Sequence, residues 1–131
     1  MYIAIRTEKP EAEIILFDES KIVETVSWHA HKQLSSTILL KTTDLLARHS
    51  LSFGDIQGIA CFTDGGSFTG LRIGASVANA LAASLQVPVV SVLHSEWLVP
   101  TTLCVKFAHT EPGQFIAPHY DRPATTTQPK K

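Results

Sequence analysis

Cysteine is scarce in this chain, with two among 131 residues. Cys61 and Cys104 each sit inside an apolar segment, so both read as structural, buried free thiols, and no disulfide framework holds the fold. Charge is also thin: Asp, Glu, Lys and Arg make up 18% of the residues, 11 basic against 12 acidic. No charge field therefore recruits nucleic acid or a membrane surface. Long hydrophobic runs are missing as well, none approaching the roughly 20 residues of a membrane span. The start Met1-Tyr2-Ile3-Ala4-Ile5 reads as a strand rather than a basic-then-apolar secretion signal. What these absences leave is a cytoplasmic globular domain, 44% apolar, with length enough to bury about two thirds of its unfolded surface.

The hydrophobic pattern changes period along the chain. Tyr2 to Thr7, Glu13 to Phe17 and Ile22 to Ser27 are β-type segments joined by short polar connections, which favour antiparallel neighbours. From about Lys32 to His49 the spacing becomes helical, with Leu34, Ile38, Thr42 and Leu46 four apart and Leu39 and Leu45 alongside. A loop from Ser50 to Asp55 leads into an apolar strand, Ile56 to Phe62, and a second helix runs from about Thr69 to Leu85 before Val87-Pro88 stops it. Val89 to Leu93 is a further buried strand, Ser95 to Val99 is room for one helical turn, and Leu103 to Ala108 is read as a last strand. The order β-β-β-α-β-α-β predicts an α/β domain on one mixed five-stranded sheet, because crossover helices return right-handed to the same sheet. The run Thr125 to Lys131 has no apolar residue to dock, and a mobile tail is expected there.

The most specific feature is the junction Asp64-Gly65-Gly66-Ser67-Phe68-Thr69-Gly70-Leu71-Arg72-Ile73-Gly74, between a buried strand and a long helix. Glycines free the backbone, Ser67 or Thr69 caps the helix, and backbone N–H groups converge at the helix start. Asp64, Gly65, Gly66, Ser67 and Thr69 thus form a candidate phosphate or nucleotide turn. Beyond it, Gly70, Gly74, Ala78 and Ala82 recur every four residues beside the apolar row Ile73, Val77, Leu81 and Leu85. Two glycines on one helical face invite close approach of a backbone, either another helix or the protein's own sheet.

This junction resembles the hallmark GPGSFTGxRIG segment of the TsaB (YeaZ) family, with Asp64-Gly65-Gly66 in place of the initial Gly-Pro-Gly. The resemblance extends over residues 1 to about 98 and includes Asp55-Ile56, Asp44-Leu45-Leu46 and Val87 to Val92. It implies a single actin-like, ribonuclease H-like lobe. It also implies a non-catalytic subunit that holds the TsaD paralogue by pairing the first two helices of each protein, with TsaE as the associated ATPase. The complex installs threonylcarbamoyladenosine beside the anticodon, so contact with tRNA is indirect. The implied interface is Leu34, Ile38, Leu45, Gly70, Arg72, Ile73, Gly74, Val77 and Ala78, and the same helix pair permits a homodimer when the protein is alone.

Departures from the family pattern matter. Where TsaB proteins commonly carry Asp-Thr after the first strand, this chain has Arg6-Thr7. A cation does not ligate Mg²⁺, which takes oxygen ligands, so no cofactor and no metal are expected, and Arg6 is read as half of a surface ion pair. Only about thirty residues follow Pro100, although Pro118-His119-Tyr120-Asp121-Arg122 resembles the family's C-terminal segment. The expected organisation is a lobe over 1–99, a short segment over 100–122 packing back in place of a second lobe, and a disordered 123–131.

The remaining candidates have bland explanations. His29 and His31 flank Ala30 in an extended segment and lack the Cys or Asp that would complete a tetrahedral metal set. His94-Ser95-Glu96 fits a helix start, Ser67 lacks the nucleophile elbow, and Trp28 and Trp97 fit aromatic packing. Two functions stay open: the scaffold subunit, and a nucleotide- or phosphate-binding actin-like enzyme acting as a homodimer, for which Asp64 is the nearest carboxylate.

Overall fold

The computed structural model describes residues 1–29, 34–64, 68–93 and 99–117. Among these residues five strands and three α-helices follow one another: β1 (Tyr2–Arg6), β2 (Glu11–Phe17), β3 (Ile22–His29), α1 (Leu34–Arg48), β4 (Gly58–Phe62), α2 (Phe68–Leu85), β5 (Val89–Val92) and α3 (Pro100–Ala108). The strands form one sheet in the order β3-β2-β1-β4-β5. β1 runs antiparallel to β2 and β2 to β3, while β1, β4 and β5 are parallel. The mixed α/β sheet read from the sequence is therefore the observed one.

Alternation along the central strands sends side chains to two separate cores. Ile3, Ile5, Ile14, Leu16, Ile59 and Cys61 face α1 and α2 and pack with Ile38, Leu45 and Ala78. Ala4, Ile15, Phe17, Ala60, Val90 and Val92 face the other way and meet Leu103 and Phe107 of α3. Tyr2 stacks between Phe17 and Phe107, at ring-centre distances of 5.4 and 4.8 Å.

That third helix corrects the expected strand at Leu103 to Ala108. Pro100 begins a helix, at a first-turn position where its missing N–H is no loss. Leu103 and Phe107, one turn apart, are 2% and 6% exposed, whereas Val105 between them is exposed, which is helical rather than alternating burial. The Phe107 ring lies over Gly58, where any Cβ would meet it at 2.5 Å, so the glycine is the seat of α3. The chain then continues to Ile116, whose backbone N–H and carbonyl both pair with the Asn79 side chain of α2 at 3.0 Å.

Boundaries shift elsewhere by a few residues. β2 begins at Glu11 and β3 reaches His29, because the two keep pairing through Glu11 and His29. The strand expected from Ile56 starts at Gly58, after a 3₁₀ turn over Phe53–Asp55 in which the Asp55 carboxylate accepts from the Ser52 N–H at 2.9 Å. Both long helices end without glycine: Ser50 and Gln86 take φ of 58° and 59°. The following N–H groups reach back to Leu46 and Ala82, closing Schellman-type ends. Among the described residues no helix is long and apolar enough to cross a membrane.

Candidate functional site

The ends of β1 and β4 and the start of α2 converge on one edge of the sheet. There the Thr7 hydroxyl, buried, donates to the Gly70 carbonyl at 2.7 Å. One turn later Gly74 lies directly against the Thr7 side chain, and a Cβ at that position would collide with the hydroxyl oxygen. The glycine row of α2 thus approaches the protein's own β1. Ala78 and Ala82 continue the same row into the first core.

Arg6 is not a surface residue. Its Nε donates to both Glu8 carboxylate oxygens at 2.8 and 2.9 Å, and its Nη2 donates to Oε2 at 2.7 Å. The two side chains are 14% and 7% exposed, and the guanidinium carbon lies 4.1 Å from the centre of the Phe62 ring. The surface pair expected from the sequence is in fact a largely buried, bidentate pair stacked on an aromatic face. Asp64 is half-buried at the end of β4. Gly65, Gly66 and Ser67 lie outside the described residues, as do His31, His94, Ser95, Glu96, Trp97 and residues 118–131. Among the described residues no three His, Cys, Asp or Glu side chains gather. His29 is exposed, and Trp28 packs between β3 and α1, its Nε1 donating to Thr37 Oγ1 at 3.3 Å. Cys61 and Cys104 are free thiols. Burial pushes the Cys61 thiol up to about 12, and burial raises Cys104 as well, with the Glu19 charge adding to it.

Of the residues assigned to a partner interface, most are spent inside the chain. Ile38, Leu45 and Ala78 are fully buried, Leu34 and Val77 nearly so, and Gly70 and Gly74 are buried. The physical reason is that a helix on a sheet directs its most regular apolar and small-residue rows inward. Arg72 and Thr69 are exposed and Ile73 half-buried. The outward surface of the helix pair is instead Ser35, Ser36, Leu39 and Leu40 of α1 with Arg72, Ser76 and Ala80 of α2. Leu39 and Leu40 are 43% and 67% exposed. Leu40 was the missed signal, an apolar residue off the face that Leu34, Ile38, Leu45 and Leu46 define.

Between the helices run two concavities of about 370 Å³ each, one at Thr69, Arg72 and Ser76, the other at Leu39, Ala80 and Leu81. Ser35 and Val77 line both, which makes them one groove.

A sheet of this order flanked by crossover helices is that of an actin-like α/β domain of the TsaB (YeaZ) type. The family model described as TsaD, tRNA N6-adenosine threonylcarbamoyltransferase, matches residues 25–117, and the chain belongs to that family. It is 29% identical over 102 residues to the tRNA N6-adenosine threonylcarbamoyltransferase of Pelobacter propionicus, covering 78% of this chain and 24% of that protein. Among solved structures it is similar to YeaZ from Pseudomonas aeruginosa, with a TM-score of 0.63 and 26% identity over 71% of this chain and 44% of the other. A crystal structure of an uncharacterized protein with similarity to peptidase YEAZ from Pseudomonas aeruginosa matches to the same extent, with a TM-score of 0.63. The chain therefore spans less than half the length of each of these relatives.

Proposed function

We propose that this chain is a non-catalytic subunit of the tRNA threonylcarbamoylation machinery. It binds the TsaD paralogue through the outward face of α1 and α2, and so supports threonylcarbamoylation of the adenosine next to the anticodon. The observation that carries this reading is the groove, lined by Leu39, which with its neighbour Leu40 is left exposed. Adjacent exposed leucines beside a helix-helix groove cost solvation when nothing covers them and are typical of a face that another helix fills. The non-catalytic half of the reading is supported by Glu8. Both of its carboxylate oxygens are engaged by Arg6, which leaves that carboxylate committed to the guanidinium rather than to a metal ion. Its setting is the cytoplasm, with TsaE joining the larger complex and tRNA touched only through the partner.

The test is co-elution of the purified chain with the TsaD paralogue of the same cell, together with a reconstituted tRNA modification assay. The wild-type protein is expected to co-elute and to stimulate modification. Leu39→Asp combined with Leu40→Asp is expected to abolish both with an unchanged melting temperature, since both side chains point to solvent. A wild-type chain that stays separate from the paralogue at micromolar concentrations rejects the scaffold.

A further inference from the structure

Arg72 is the single charged residue of α2. It is exposed, lies in the groove, and has no hydrogen-bond or ion-pair partner among the described residues, unlike Arg6 and Arg48, which are each held by a glutamate. Of the ten described residues that line the two concavities it is also the only charged one; the others are hydroxyl-bearing or apolar. An occupant that covers the groove therefore desolvates a guanidinium for which the described residues supply no counter-charge.

We propose that the groove is built for a helix that brings a carboxylate to Arg72, and that this charge selects a different chain over a second copy of this one. The inference rests on the scaffold reading and adds the chemistry of recognition to it. The groove runs from Thr69 to Leu81, about 18 Å at 1.5 Å per residue, which is the length of about three turns of a docking helix. Small side chains at Ser35, Ser76 and Ala80 let that helix come close. A carboxylate meeting Arg72 gains a forked, charge-assisted contact, with the Ser35, Thr69 and Ser76 hydroxyls in the same concavity as further donors. A two-fold dimer through the same face offers the reverse. Each copy brings a second Arg72 and, among the described residues, no acidic lining residue, so two like charges are covered together.

The experiment compares the full chain with Arg72→Glu, Arg72→Lys and Arg72→Ala by calorimetric titration against the purified TsaD paralogue at 50 and 500 mM NaCl. Sedimentation of each variant alone measures self-association, and a melting curve checks that the exposed substitutions leave the fold intact. The expected result is that Arg72→Glu weakens the heterocomplex about tenfold or more at low salt. Arg72→Lys weakens it less, the wild-type affinity falls with salt, and Arg72→Ala tightens self-association. Binding of the paralogue that is equal for wild type and Arg72→Glu overturns the acidic-helix inference and leaves the scaffold standing. Self-association of the wild type as tight as the heterocomplex overturns the selection. A wild-type chain that fails to bind the paralogue at either salt overturns both readings.

Discussion

Glu8 holds Arg6 through three short hydrogen bonds at the end of β1, with both side chains largely out of water. A desolvated pair of this kind adds little against an apolar pair of the same volume, yet leaves a stranded charge when one member goes. Glu8→Leu alone is expected to destabilise by about 3 kcal/mol, and Arg6→Met alone by a similar amount. The double substitution is expected to lose far less than their sum. Urea unfolding of the four proteins measures this, and additive losses contradict a coupled buried pair.

Gly74 faces Thr7 so closely that the Thr7 hydroxyl leaves no room for a methyl group. Gly74→Ala ordinarily favours a helix, but here it pushes Thr7 off the Gly70 carbonyl and is expected to cost about 1–3 kcal/mol. Thr7→Ala removes the colliding oxygen, and the Cβ of residue 7 stands at a tolerable 3.4 Å. The pair Thr7→Ala with Gly74→Ala is thus expected to be more stable than Gly74→Ala alone, by equilibrium denaturation. Larger residues at 74 displace Thr7 rather than probe a partner, so interface tests belong at Leu39 and Arg72.

Both long helices end on a left-handed residue that carries a side chain, Ser50 and Gln86. Left-handed backbone costs a residue with a Cβ about 1 kcal/mol that glycine does not incur. Ser50→Gly and Gln86→Gly are each expected to raise stability by up to about 1 kcal/mol, less the entropy glycine loses on folding. A pair of melting curves decides it; a fall in Tm at both positions contradicts the assignment of these ends.

Those same ends explain what the sequence conveyed and what it withheld. Strand identity was legible because β1, β4 and β5 are buried on both faces and read as continuous apolar runs, as in Ile59 to Phe62. Helix α2 was legible through its motif and period, whereas the ends at Ser50 and Gln86 carry no glycine to announce them. Helix α3 was misread because Pro100 serves equally as a stop and as a first helical residue, and only packing of Phe107 over Gly58 chooses. The candidate site was half legible. The small-residue row predicted a close approach, but two surfaces compete for any such row, and Thr7 of the sheet took it. Arg72 lay in the motif itself, though its lack of a counter-charge among the described residues belongs to the three-dimensional neighbourhood alone.

Cys61 gives the fold a pH dependence of known sign. Burial raises its thiol from 9.0 to about 12, so the folded protein keeps the proton that the unfolded chain releases above pH 9. The stabilisation is complete below pH 9 and is lost as pH rises toward 12, at up to about 1.4 kcal/mol per pH unit. Cys104, also raised, acts in the same direction. Unfolding free energies of the wild type and Cys61→Ala, followed from pH 8 to 10.5, are expected to converge, because the variant loses packing at every pH but lacks this titration. In parallel, iodoacetamide at pH 8 is expected to label Cys61 only in denaturant, since the neutral, fully buried thiol offers no nucleophile. Parallel stability curves, or ready labelling of the native protein at Cys61, contradict the burial that holds β4 at the centre of the first core.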